Sequence, residues 1–259
     1  MIVTAALIWY DERSEDLELC VRRCADIADR IVAVDGAYRR FPGAKPRSRR
    51  EQAATIRRVA REVGLQPVIF TPTELWAGQV AKRSFLLREA ARDSDWIAVV
   101  DADWVIWTDR DVTRAELEGY LDEPEIDVVS VPFCTPSGDS PAATGWHRRL
   151  AQTCVPLPHI FRALPGMRVE QLHWWYSALK DGERVWLWHG PDRNRRVVTP
   201  QPLRAWYEIE HRTLSRDAKQ ILANRAFCND RVMVLERTGQ EDDMPGLPPP
   251  VFDFDTVPY

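Results

Sequence analysis

Two carboxylates, Asp101 and Asp103, flank Ala102 directly after the apolar run Trp96 to Val100. At a strand exit, side chains two residues apart point the same way. Hard oxygen ligands in that geometry suit Mg²⁺ or Mn²⁺, which substrate phosphates usually complete. Such a cation would neutralise the charge that grows on a diphosphate leaving group. An Asp-x-Asp turn alone is a common surface feature, so its surroundings matter. Lys82 and Arg83 stand ahead of it, and Asp11 and Asp35 follow two earlier apolar runs.

A second group of residues is basic. Arg39, Arg40, Lys45, Arg47, Arg49, Arg50, Arg57, Arg58 and Arg61 crowd one stretch against Glu51 alone. A solvated helix face is the ordinary reading of such a run, and a phosphate-bearing acceptor, nucleic acid included, is the sharper one. The eleven Trp residues are many for 259 residues. A Trp can offer a flat platform to a base or sugar, but buried Trp is commoner.

Strand and helix patterns alternate through the first hundred residues and must position these groups. Val3 to Trp9 is a continuous apolar run, as expected of a strand covered on both faces. Ser14 is placed to N-cap a helix to about Ala28. Arg30 to Asp35 reads as a second strand, Ser48 to Val63 as a helix and Gln66 to Phe70 as a third strand. Gln79 to Arg92 reads as a helix, and Trp96 to Val100 as a fourth strand. This order predicts an α/β fold with a mostly parallel sheet and ligands at the carboxyl ends of the strands. Asp11, Asp35 and Asp101 all fall there.

Beyond Asp109 the spacing changes. A helix is expected over Val112 to Leu121 and a strand over Asp127 to Phe133, with a loop over Pro136 to Gly145. Short strands are expected at His159 to Leu164, His173 to Leu179 and Arg184 to Trp188. A long helix is expected over Arg212 to Asn229, then an extended Pro-rich, acidic tail.

Ala77 to Ala90 followed by Asp95 to Asp103 resembles the core of GT-A-fold glycosyltransferases, particularly the family 2-like group. That core runs from a basic helix through a polar turn into an apolar strand ending in Asp-x-Asp. Ile8-Trp9-Tyr10-Asp11-Glu12 and Ile31-Val-Ala-Val-Asp35-Gly36 resemble its first two strands and their turns. The likeness covers roughly the first 110 residues well and departs from the family at Ser84, where Asn is frequent, and at Trp104, where an acid is frequent.

The resemblance implies a Rossmann-like GT-A domain with a smaller acceptor-side lobe. Residues 1–110 would bind the nucleotide sugar, 111–235 would form the acceptor half and last helix, and 236–259 the tail. Tyr10, Glu12 and Asp35 would hold the nucleoside of a UDP- or GDP-sugar, and Lys82 and Arg83 would face its diphosphate. Asp101 would contact ribose or sugar and share with Asp103 the holding of Mn²⁺ or Mg²⁺. His211, in Glu208-Ile-Glu210-His211-Arg212, resembles a late metal-completing His, with His189 as competitor.

The stretch from Phe161 to Tyr176 resembles the acceptor side, where His173, Trp174 and Trp175 would line the acceptor. An inverting reaction needs a general base, for which Glu170 is first choice and Asp181 second; a retaining one needs none.

The rival readings are a haloacid dehalogenase-type phosphatase with Asp101 as nucleophile, a sugar-phosphate nucleotidyltransferase and a non-catalytic carbohydrate-binding module. The first lacks a later acidic partner motif, the second a Gly-rich loop after the first strand. A net charge of -4 gives no reason to expect non-specific nucleic-acid binding. The five Cys residues form no Cys-x-x-Cys, so a reduced, cytoplasmic chain is expected. No apolar run approaches a membrane span, and the apolar N-terminus, lacking a basic leader, reads as a strand.

Overall fold

The computed structural model describes residues 1–39, 41, 43–108, 114–136, 152–170, 175–188, 195–202, 207–211 and 252–253. Four strands and three helices open the chain: β1 (Val3–Ile8), α1 (Ser14–Cys24), β2 (Arg30–Val34), α2 (Arg50–Glu62), β3 (Gln66–Pro72), α3 (Gln79–Ala91) and β4 (Trp96–Asp101). There follow β5 (Trp104–Thr108), α4 (Arg114–Leu121), β6 (Val128–Pro136), β7 (Gln152–Arg162) and β8 (Arg168–Val169). The remainder is β9 (Tyr176–Lys180), β10 (Glu183–Trp186), β11 (Gln201–Pro202), β12 (Tyr207–His211) and β13 (Phe252–Asp253).

The period of two along each strand sorts the core into two faces. Val3, Ala5 and Leu7 of β1 pack with Ile31, Ala33, Trp96 and Ala98 against α1 and α2, through Leu17, Val21, Ile56 and Val59. Ala6 and Ile8 pack with Val32, Val34, Ile97 and Val99 against α3, through Phe85, Leu86 and Ala90. Helices thus cover both faces, which is why the strands read as unbroken apolar runs.

The main sheet has ten strands in the order β13-β3-β2-β1-β4-β7-β6-β12-β5, with β11 beside β6. β1, β2, β3 and β4 pair in parallel. The α/β expectation holds, and the sheet as a whole is mixed. β7 runs antiparallel to both β4 and β6, and β12 antiparallel to β5. Parallel neighbours require a long crossover, usually helical, whereas antiparallel ones do not. Beyond β4 most neighbours are antiparallel, although β11 and β12 each pair with β6 in parallel.

A second sheet, β10-β9-β8, lies on the α3 face through Met167, Val169, Tyr176 and Val185. The Ser84 hydroxyl ties it to α3, accepting from Val169 N at 3.0 Å and lying 3.2 Å from Val169 O. Within the tail, β13 adds antiparallel to β3, with Phe252 opposite Pro72 and Asp253 opposite Thr71. It lies on an edge that would otherwise offer unpaired backbone.

Ser14 is the first residue of α1 and not its cap; Arg13 holds the cap position without a side-chain capping bond, its guanidinium donating to Glu15 instead. Trp104–Thr108 is a strand where no element was expected. Cys20 and Cys24 are free and buried, but Cys134 is disulfide-bonded, against the expectation of a fully reduced chain. His173, Trp174, His189 and the expected helix from Arg212 lie outside the described residues. Among the described residues, no helix is long and apolar enough to cross a membrane.

Candidate functional site

The carboxyl ends of β1, β2 and β4 lie side by side, because β1 pairs with both of the others. This brings Tyr10 to Glu12, Asp35 and Asp101 to one edge of the sheet. Asp101 closes β4 opposite Ile8, and Ala102 N donates to Ile8 O at 3.1 Å, turning the chain toward Asp103.

Arg83 on α3 reaches that turn. Its guanidinium is almost wholly buried and donates to Asp101 Oδ2 at 2.6 Å. Burial alone would lower its pKa, but the Asp101 charge outweighs this and holds it above the ordinary value. The buried Tyr176 hydroxyl also bonds Arg83; burial pushes the phenol up to about 12 despite that cation. Asp101 Oδ1 is buried and accepts no hydrogen bond among the described residues. Asp103 is 6 % exposed.

β12 runs antiparallel to β5 with His211 opposite Trp104, the residue directly after Asp103. The Trp107 indole donates to Glu210 Oε2 at 2.7 Å and fastens the two strands. Asp101, Asp103 and the His211 backbone therefore share one corner of the fold. Among the described residues no three His, Cys, Asp or Glu side chains gather as a metal site. The chemistry of the pair still fits a hard cation: a buried carboxylate oxygen without a donor is costly, and a cation offsets that cost.

Lys82 does a different task from the one expected. Its ammonium is buried and donates to Trp9 O at 2.8 Å and Gly36 O at 2.7 Å. It thereby joins the ends of β1 and β2. Burial lowers its pKa to about 7, against the opposing charge of Asp35. Helical periodicity placed Lys82 and Arg83 together but could not show that both turn inward.

Asp35 is likewise engaged. Its Oδ1 accepts from Gly36 N at 2.6 Å and from the Ser48 hydroxyl at 2.5 Å, and its Oδ2 from Ser48 N at 2.9 Å. Burial raises its pKa in spite of these bonds and of Lys82. Gly36 follows at φ +103°, and a Cβ there would meet Pro46 O at 2.5 Å. The Ser48 hydroxyl also accepts from Asp11 N at 2.7 Å, so one hydroxyl ties the β1 turn to the β2 turn. Ser48 was not singled out from sequence, where it reads only as the polar start of a helix.

Tyr10 is half-buried, edge-on to Phe41 with ring centres 5.5 Å apart, and its hydroxyl accepts from Lys45 N at 2.9 Å. Burial raises its pKa above the usual phenol value. Glu12 is buried, and its main-chain oxygen accepts from Gln52 Nε2 at 2.5 Å. Tyr10, Asp11, Asp35 and Ser48 border open clefts at this edge.

The two candidate bases lie with the small sheet. Glu170 accepts from the Ser177 hydroxyl at 2.7 Å, from Arg168 at 3.1 Å, and from Arg195 at 3.0 and 3.1 Å on its two oxygens. Burial raises its pKa, but these donors outweigh burial and leave it below the usual carboxylate value. That is an anchor's environment, unlike a proton acceptor's. Asp181 (φ 55°) and Gly182 (φ 83°) form the two-residue turn between β9 and β10. An Asp-Gly pair favours that left-handed turn, and the Asp181 side chain is 74 % exposed. Trp175 is half-buried next to Tyr176, and its carbonyl accepts from Glu170 N at 2.9 Å.

No protein-family model matches this chain, and no curated protein matches it.

Proposed function

We propose that the chain is a metal-dependent glycosyltransferase, moving a sugar from a UDP- or GDP-sugar to an acceptor hydroxyl. The observation that carries this reading is the Asp101 carboxylate. One of its oxygens is gripped by buried Arg83, and the other is buried without a donor among the described residues. A carboxylate oriented in this way, followed after one residue by buried Asp103, suits a site that holds a cation for a ligand to complete.

Asp101, Asp103 and His211 would hold Mn²⁺ or Mg²⁺. When bound, the metal supplies charge neutralisation for the departing nucleoside diphosphate. Arg83 fixes the Asp101 rotamer through its bond to Oδ2. Lys82 holds the β1 and β2 turns in register without meeting the donor. Tyr10, Glu12 and Asp35, braced by Ser48 and Gln52, form the wall assigned to the nucleoside. Trp175, with His173 and Trp174, is assigned to the acceptor. The donors that Arg168, Ser177 and Arg195 give Glu170, and the exposed turn position of Asp181, support neither as the general base.

A thermal-shift screen of nucleotide sugars with and without Mn²⁺ tests this reading. A ligand that binds only the folded chain raises its melting temperature. The reading expects a rise with one UDP- or GDP-sugar that depends on Mn²⁺. No rise with any nucleotide sugar, or equal rises with a chelator, would count against it.

A further inference from the structure

The basic stretch around α2 does not act as one solvated face. Arg58 turns toward α1, donating to Glu62 at 2.6 Å and to Glu18 at 3.1 Å. Arg50 and Arg57 lie on a different side of the helix, with Ala53 and Ala54 between them. Positions three, four and seven apart share one helical face. These four residues line a cleft of about 550 Å³ with Arg47, Ser48, Arg49, Asp35 and Thr71. A neighbouring cleft of about 730 Å³ shares Arg47, Ser48 and Arg49, and adds Lys45, Tyr10 and Asp11. Together they form one groove with five basic side chains against two acids.

Both acids are already engaged. Asp35 is held by Ser48, and Asp11 accepts from Arg49 at 3.0 Å. The two alanines keep the wall low, leaving room beneath the guanidiniums. Arg49 is the N-cap of α2 and makes no side-chain cap bond, so the positive end of the helix opens on the same groove. The Arg50 and Arg57 end of the groove lies at the β2 and β3 ends, whereas Asp101 ends β4 beyond β1; the groove's other end, at Tyr10, borders the wall assigned to the nucleoside. At about 4.8 Å per strand spacing, the Arg50 and Arg57 end is roughly 10 Å or more from that corner.

We infer that this groove binds the phosphate groups of a small phosphate-bearing molecule, without a metal, at a place distinct from the Asp101–Asp103 corner. Guanidiniums bind phosphate through paired, charge-assisted bonds, and several of them supply the countercharge that a divalent cation supplies elsewhere. A small ligand fits better than a nucleic acid. The groove is a bounded concavity on a chain of net charge -4, whereas a nucleic-acid strand calls for an extended basic surface.

Calorimetry with sodium tripolyphosphate in the presence of EDTA tests the inference on the full chain. Binding is expected in the parent and in Asp103→Ala. The Arg50→Ala/Arg57→Ala double variant is expected to bind at least about tenfold more weakly. Arg50 is exposed and Arg57 half-buried, and circular dichroism checks that the variant folds. A charge-neutral obstruction, Ala54→Gln, is expected to weaken binding too. Absence of binding in the parent, or equal binding in the double variant, would overturn the inference. So would tight binding of a single-stranded RNA oligomer with none of tripolyphosphate. Because EDTA is present, these outcomes are separate from failure of the carboxylate-pair reading.

Discussion

The Arg83 guanidinium donates to Asp101 Oδ2 at 2.6 Å from within the core, and so joins α3 to the last residue of β4. Breaking a buried ion pair leaves one charge uncompensated, at a cost of about 3–5 kcal/mol. Arg83→Leu is expected to lower unfolding free energy by roughly the lower end of that range, about 3 kcal/mol, because Asp101 is partly exposed. Urea unfolding measures it. A change below about 0.5 kcal/mol would mean that the pair does not hold the turn.

Lys82 makes stability depend on pH. In the unfolded chain it keeps its proton to near 10.5, but folded it gives the proton up near 7. Between those values the unfolded state binds more protons, so this group makes stability rise with pH. The slope is at most about 1.4 kcal/mol per pH unit. Lys82→Met should lack this slope. Unfolding of both chains at about pH 8 and about pH 9 compares them, and parallel changes would contradict the assignment.

Ser48→Ala should loosen the link between the β1 and β2 turns. It removes one bond to buried Asp35 and one from Asp11 N. A cost of about 1–3 kcal/mol is expected, because the Asp35 carboxylate loses a donor in a dry place. Weaker nucleotide binding should accompany it. Unfolding and calorimetry on the same variant check both.

Glu170→Gln separates an anchor from a base. As the anchor of Arg168, Ser177 and Arg195, Glu170 should stabilise the small sheet by about 1.5–3 kcal/mol through charge-assisted bonds. The variant should melt earlier yet keep the parent's pH profile for transfer. Loss of the acidic limb of that profile, with stability unchanged, would restore Glu170 as the general base.

The parallel half of the fold was legible because its strands are buried on both faces and so read as apolar runs. Val3–Ile8 and Trp96–Asp101 were placed to within a residue or so. Asp35 and Asp101 were legible for the same reason, as carboxylates ending such runs. The antiparallel half was not, since the pairings of β7 with β4 and of β12 with β5 join residues far apart in sequence. Of the donors that reach Glu170, Arg168 is local, but Ser177 and Arg195 come from farther along the chain, and nothing local to the carboxylate announces them. Lys82 and Ser48 show the same limit: their partners sit on other elements, across 73 and 37 residues.

The central claim is that Asp103 helps hold a cation that a nucleoside diphosphate completes. Calorimetry of UDP and GDP with Mn²⁺, on the parent and on Asp103→Asn, tests it most directly. The account predicts that one nucleotide binds the parent only with Mn²⁺ and that Asp103→Asn loses this binding while unfolding as a cooperative native chain. Nucleotide affinity unchanged by Mn²⁺, or equal in Asp103→Asn, would contradict it.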